Sequence, residues 1–371
     1  MIWIHCGDRD EVQSTLSLAA RLSNDSSDMD VLITADADTI GALDVPPHIA
    51  SVEPVPAETH AKIRAFWDRW TPHYLIWNGG TLRPAILRFA EKAGLRATFI
   101  NARNAGLLAG SARWLPGAAR TAVAPFEHVL TADGATATRL IRGGVSREKI
   151  TATGPILEEP MPLPHDQYEF TVMAEALGTR PVWFAADVVA SEIKDMAAAH
   201  LAASRKSHRL LLLITPRDID SGPDIAQTLR DAGLKVGLRS AGDDPEPEHQ
   251  AYVADYEDEL GLWYRIAPLT FLGGSLGGGG TVSPFDPIVL GSAVVHGPLK
   301  APHDARFERL TKVESCREIR SAGELGIAIS VLTSPEQSAR MAVAGWEEIT
   351  QNADTLNQLI KTARDTVEVT T

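Results

Sequence analysis

Short apolar runs alternating with segments of helical periodicity recur along nearly the whole chain, and this alternation constrains the fold more than any single motif. MIWIHC, VLITA, HYLIW, RATFIN and HVLTA read as strands, while VQSTLSLAARL, PAILRFAEKAG and ATATRLIRGG between them read as helices. Strands and helices in regular alternation predict parallel sheets of the doubly wound α/β type. A second series opens at RPVWFAA and runs through EIKDMAAAHLAAS, RLLLLITP, DIAQTLRDAG, KVGLRS, LTFLGGS and SAVVHGP. Between the two series lies GPILEEPMPLPHD, whose prolines and acidic residues mark a linker. A chain of 371 residues with 44% hydrophobic residues is too long for one ordinary core and about right for two. The expected domains are 1–160 and 161–371, with the helical tail from about residue 334 a candidate to pack back on the first.

A net charge of −13 argues against general nucleic-acid binding, but the charge is unevenly spread. From residue 62 to 120 stand Lys62, Arg64, Arg69, Arg83, Arg88, Lys92, Arg96, Arg103, Arg113 and Arg120, against only Asp68 and Glu91. Such a segment suits an anionic membrane surface or a phosphorylated acceptor, and serves equally as a set of solvated helix faces. Cys6 and Cys316 lie too far apart in sequence for a zinc knuckle or redox pair, which fits a reducing compartment. No stretch approaches the roughly 18 apolar residues of a spanning helix, and the opening MIWIHCGDRDEV lacks a signal-peptide pattern. The expected location is cytoplasmic. His5, His128 and His296 read as structural, and no metal or cofactor is expected.

Three local patterns carry chemistry. FLGGSLGGGGTVSPFDPIVLGSAVVHGP, residues 271–298, runs an apolar strand into a glycine cluster and then into a helix opened by Ser283 and Pro284. Glycines there let backbone N–H groups approach a phosphate, and a helix N-terminus adds partial positive charge. A mobile surface turn accounts for such a cluster as readily. Arg217, after the strand LLLITP, suits a phosphate through charge-assisted hydrogen bonds, or is simply a surface arginine. Glu11, just past the first strand, stands where a helix-capping carboxylate or a base would stand.

In order along both domains, these segments resemble the Kdo (3-deoxy-D-manno-octulosonate) transferases of lipopolysaccharide assembly. Gly273, Gly274, Ser275, Leu276, Pro284, Pro287, Gly297 and Pro298 match that signature, and Asp286 holds the place of a donor-binding glutamate. DYEDELGLWY sets Glu257, Asp258 and Glu259 where that family binds the nucleotide; Pro216 and Arg217 match its Pro-Arg pair, and Asn101, Ala102 and Arg103 its Asn-Ala-Arg. IWIHCGDRDEV puts Glu11 at the position of the catalytic base. The resemblance implies a GT-B fold, two doubly wound Rossmann-like domains facing a central cleft, the first for acceptor and the second for donor. It implies an inverting, metal-independent transfer of Kdo or a related acidic sugar from a CMP-activated donor to a lipid A-type acceptor. Contact with the inner face of the cell membrane goes with that role. Ser283, Pro284 and Phe285 join the donor set, and Arg83 and Arg103 are candidate acceptor contacts.

The departures from that pattern are specific. Gly79, Gly80 and Thr81 replace Glu-Thr-Glu, Gly154 is followed by Pro155, Ile156 and Leu157 in place of Asn-Leu-Lys, and Asp187, Val188 and Val189 replace Ser-Thr-His. Val282 and Ser283 replace His-Asn. Each removes a group able to stabilise charge on the donor or its leaving phosphate. A catalytically silent paralogue and a transferase using another nucleotide sugar therefore remain as alternatives.

Overall fold

The structure is a computed structural model that describes residues 1–24, 29–43, 45–103 and 117–370. It divides into two compact units, Met1–Glu159 with Gln351–Thr371, and Pro160–Thr350. Each is built on a seven-stranded sheet, and every strand pair in both sheets is parallel.

In the first unit the strands are β1 (Ile2–Cys6), β2 (Val31–Ala35), β3 (Ser51–Pro54), β4 (Tyr74–Asn78), β5 (Arg96–Ala102), β6 (His128–Thr131) and β7 (Ile150–Ala152), in the order β3-β2-β1-β4-β5-β6-β7. β1 is buried at every position, and its side chains divide with period two. Ile2, Ile4 and Cys6 enter a core with Val12, Leu18 and Leu22 of the helix Val12–Asn24; Trp3 enters the opposite core with Phe66, Leu75, Trp77 and Phe99. Helices on both faces are what such continuously apolar strands require.

The second unit carries β8 (Val182–Val188), β9 (Leu211–Pro216), β10 (Val236–Leu238), β11 (Ala251–Val253), β12 (Leu269–Leu272), β13 (Ala293–His296) and β14 (Cys316–Glu318), ordered β10-β11-β9-β8-β12-β13-β14. Trp183 and Ala185 of β8 face the helix Ile193–Ser204 and the helix Ala322–Leu332, while Phe184 and Ala186 face the other core with Tyr252, Trp263 and Tyr264.

Two expectations are refined. Of the helical tail, Pro335–Thr350 stays with the second unit, and only Ala353–Thr370 joins the first, burying Leu356, Leu359, Ile360, Ala363 and Val367 against its sheet. The helix expected after Ser283 and Pro284 is short, Phe285–Val289, so its dipole offers little to an anion. No helix among the described residues is long and apolar enough to cross a membrane.

Candidate functional site

In open α/β sheets a ligand crevice forms beyond the carboxyl ends of the strands where the strand order reverses. In the first sheet that point lies between β1 and β4, and in the second between β8 and β12. Glu11, Asn101 and Arg103 gather at the first, and Arg217 with the glycine loop at the second, each group within its own unit.

In the first unit, the turns after β1 and β4 cross backbone against backbone. Gly7 N donates to Asn78 O at 2.8 Å, and a Cβ on Gly7 would lie 2.2 Å from Gly79 O. Gly79, at φ +62°, faces the side chain of Glu11: a Cβ there would sit 2.6 Å from Glu11 Cγ. The space that a longer residue at position 79 would need is thus filled by Glu11, which accounts physically for a glycine at this departure from the family pattern.

Glu11 closes a 3-10 turn, Arg9–Glu11, that leads into the helix Val12–Asn24, and it is 1% exposed. Its Oε2 accepts from Asn101 Nδ2 at 2.7 Å and from Ser14 Oγ at 3.2 Å, and its Oε1 pairs with the Arg103 guanidinium. Asn101, held at φ +53°, also accepts from Ile156 N at 2.7 Å, and Asn78 donates to Ser14 Oγ and Thr15 Oγ1, both at 2.9 Å. Burial pushes the Glu11 carboxyl above its ordinary value; Arg103 and Ser14 oppose the rise, and Asp8 adds to it. Asp8 Oδ1 is itself buried and has no hydrogen-bond partner among the described residues. A carboxylate raised in pKa by burial and fixed in place by Asn101, Ser14 and Arg103 can take a proton from a hydroxyl.

The expected acceptor residues lie near this centre but are engaged. Arg83 pairs with Asp36, and Arg103 with Glu11. Elsewhere in the basic segment, Arg64 meets Asp68 of the same segment, Arg69 meets Glu53 at 2.7 Å, and Arg96 meets Glu127 at 2.9 Å, so with Asp36 and Glu11 four carboxylates from outside the segment offset part of its charge. Arg113 lies outside the described residues. Arg88 and Lys92 line a pocket of about 410 Å³ with His60, Ile63, Ala85 and Phe89, between the helices His60–Trp70 and Pro84–Lys92.

In the second unit, the loop after β12 packs against the loop after β8. A Cβ on Gly273 would lie 2.3 Å from Asp187 O. Glu192, 1% exposed, inserts its carboxylate into the glycine loop: Oε2 accepts from Gly274 N at 2.7 Å, and Oε1 from Leu276 N at 2.9 Å and Gly277 N at 3.2 Å. Three backbone donors expected to face a phosphate therefore bind a protein carboxylate. Ser275 is fully buried and accepts from Gly297 N at 2.7 Å, tying the glycine loop to the turn after β13. Ser283 Oγ accepts from Phe285 N at 3.2 Å, and the buried Phe285 ring lies under Arg306 and Arg309. Pro284 is buried and Asp286 half-buried beside it.

Pro216 ends β9 and Arg217 follows it. The Arg217 guanidinium donates to Asp187 Oδ2 through Nε at 2.8 Å and Nη2 at 2.6 Å, and to Gly280 O at 3.0 Å. Glu257 and Asp258 are exposed, Asp258 at φ +60°. Glu259 is turned to Arg239, which donates to it at 2.9 and 2.6 Å, reaches Glu169 at 2.9 Å and lies over Tyr256 and Trp263. Arg217 and the glycine loop therefore come together, whereas Glu259 belongs to a separate ion-pair cluster. Sequence reasoning missed Glu192 and gave no role to Asn101. A glutamate in the first turn after a strand is the one trace Glu192 leaves.

Residues 1–157 match the family model for 3-deoxy-D-manno-octulosonic-acid (Kdo) transferases. Over its first domain the chain is similar to the Kdo transferases. It is 30% identical over 183 residues to the 3-deoxy-D-manno-octulosonic acid transferase of Haemophilus influenzae, an alignment covering 49% of this chain and 43% of that protein. Against the Bordetella pertussis enzyme the identity is 25% over 298 residues, 78% of this chain and 68% of that one. Against the Rickettsia bellii enzyme it is 21% over 343 residues, 92% and 81%. The chain thus spans less than half the length of the Haemophilus relative it matches. Among solved structures, the C-terminal CMP-Kdo binding domain of WaaA from Acinetobacter baumannii aligns at 21% identity and a TM-score of 0.41, over 54% of this chain and 96% of that one. Both sheets are wholly parallel and doubly wound, each reversing its strand order at its first strand.

Proposed function

We propose that the chain is an inverting glycosyltransferase that moves Kdo, or a related acidic sugar, from a CMP-activated donor to a lipid A-type acceptor. The observation that carries this reading is the buried Glu11 carboxylate at the reversal point of the first sheet, raised in pKa by burial despite its pairing with Arg103. Glu11 takes the proton of the acceptor hydroxyl as its oxygen attacks the anomeric carbon, and CMP departs from the opposite face. Arg217, held at the glycine loop, binds the donor phosphate. The pocket lined by Arg88, Lys92, Ile63 and Phe89 pairs cations with apolar surface, as a phosphorylated, acylated acceptor at a membrane face requires.

A second reading, a silent paralogue that binds nucleotide sugar, lipid or a partner without turnover, draws on the ion pairs that engage both Glu11 and Arg217. One experiment separates them: the purified chain is incubated with CMP-Kdo and a lipid A-type acceptor, the product is followed by mass spectrometry, and CMP, UDP and GDP are titrated by calorimetry. Transfer that drops by about 10²- to 10⁴-fold in Glu11→Gln supports the base assignment. CMP binding without transfer sinks the enzyme reading and leaves the silent one, and preference for UDP or GDP replaces the sugar.

A further inference from the structure

We propose that Asp187 is a specificity-determining residue of the donor region, a built-in competitor that a ligand phosphate must displace from Arg217. The inference deepens the reading of Arg217 as a phosphate contact and rests on it. Both Nε and Nη2 of Arg217 converge on one oxygen, Asp187 Oδ2, so the fork that would grip a phosphate is already closed on a carboxylate. The third contact, to Gly280 O, and the packing of the guanidinium on Gly274 keep it at the glycine loop while so held.

The aspartate is placed for this at conformational expense. Asp187 lies at φ +56°, in the left-handed region that L-residues seldom adopt, where β8 slips register against β9 between Ala185 and Val188. Its N–H is tied to Thr215 Oγ1 at 3.1 Å, which fixes the turn that aims the carboxylate. The position matters more because Glu192 has taken the N–H groups of Gly274, Leu276 and Gly277. Phosphate recognition there leans correspondingly on Arg217. A second sign of local negative charge is Tyr264: burial first, then the fields of Asp286 and Asp187, push its phenol well up, and its hydroxyl finds no hydrogen-bond partner among the described residues.

Ligand binding at Arg217 is therefore an exchange. A ligand carboxylate replaces like with like and gains little, whereas a phosphate, with more charge and more acceptor oxygens, gains on exchange. The site selects phosphate over carboxylate, at reduced affinity for both.

The test is calorimetric titration of the full chain with CMP, with acetate as the carboxylate control, on wild type, Asp187→Asn, Arg217→Ala and the double variant. Asparagine tolerates the left-handed backbone, so D187N removes the charge alone; Asp187→Ser is the second variant if D187N does not melt as a folded chain. The expected result is CMP binding about two- to fivefold tighter in D187N, the scale of one partly exposed ion pair. That gain should vanish in the R217A background. Wild type that binds CMP while D187N and D187S bind no tighter overturns Asp187 as competitor and leaves the donor site standing. No CMP binding by any form overturns the donor site, and this inference with it.

Discussion

At Glu11, burial and ion pairing pull the proton equilibrium in opposite directions, and burial wins. The folded carboxyl therefore holds its proton over a pH window in which the unfolded carboxyl has released it. The stability tied to that proton is fully present below the unfolded value, about 4.3, and is lost as pH rises through the folded one. Glu11→Gln removes that pH dependence at a fixed cost, since its NH2 must face Asn101 or Arg103: the melting temperature of the variant relative to wild type should rise as pH goes from about 4.5 to about 7.5. A difference that stays constant over that range would count against the burial argument. Glu11 was visible in the sequence because strand, turn and helix lie within one contiguous stretch, IWIHCGDRDEV. Asp187 and Glu192 were not, since the first acts on a residue after β9 and the second on a loop after β12, pairings that only the strand order creates.

The glycine loop after β12 shows how one side chain can organise an element. Five glycines between residues 273 and 279 would leave a free chain too many conformations, and the Glu192 carboxylate selects one by accepting from three N–H groups. Gln offers a single carbonyl oxygen, so its NH2 must oppose a backbone N–H. Glu192→Gln should cost about 2 kcal/mol in chemical denaturation and weaken CMP binding; a variant with unchanged midpoint and unchanged binding would show that the loop holds its form without the carboxylate. The same scale explains which strands were legible. β1, β4, β8 and β12 sit inside their sheets and read as unbroken apolar runs, whereas β3, at an edge with the sequence SVEP, and β14, at an edge with CRE, bury too little to leave an apolar pattern.

At the scale of the whole chain, the two units and the linker between them were readable from composition, but the return of the last helix to the first unit was open. Ala353–Thr370 carries an apolar stripe, and nothing in its sequence says which core the stripe serves. Asn352 Nδ2 to Pro155 O at 2.7 Å and Arg96 to Thr366 Oγ1 at 2.7 Å tie it to the first unit along with its buried leucines. Removing residues 351–371 should destabilise the first unit by about 5 kcal/mol or more, given roughly 1.5–3 kcal/mol per buried aliphatic side chain as an upper scale. Hydrogen exchange should report that loss in β1, β2 and β4 and leave β8 and β9 protected; equal loss in both units would mean that the helix serves the whole chain.

That returning helix also sets an order of events on the ribosome. Residues 1–159 leave the exit tunnel before the second unit, yet a helix that covers their sheet is synthesised only after it. The second unit, contiguous from Pro160 to Thr350, can complete its core while the first still exposes the apolar patch meant for Leu356, Leu359 and Ile360. The N-terminal half of this chain should be the part that nascent-chain chaperones hold longest, released only when the final helix arrives.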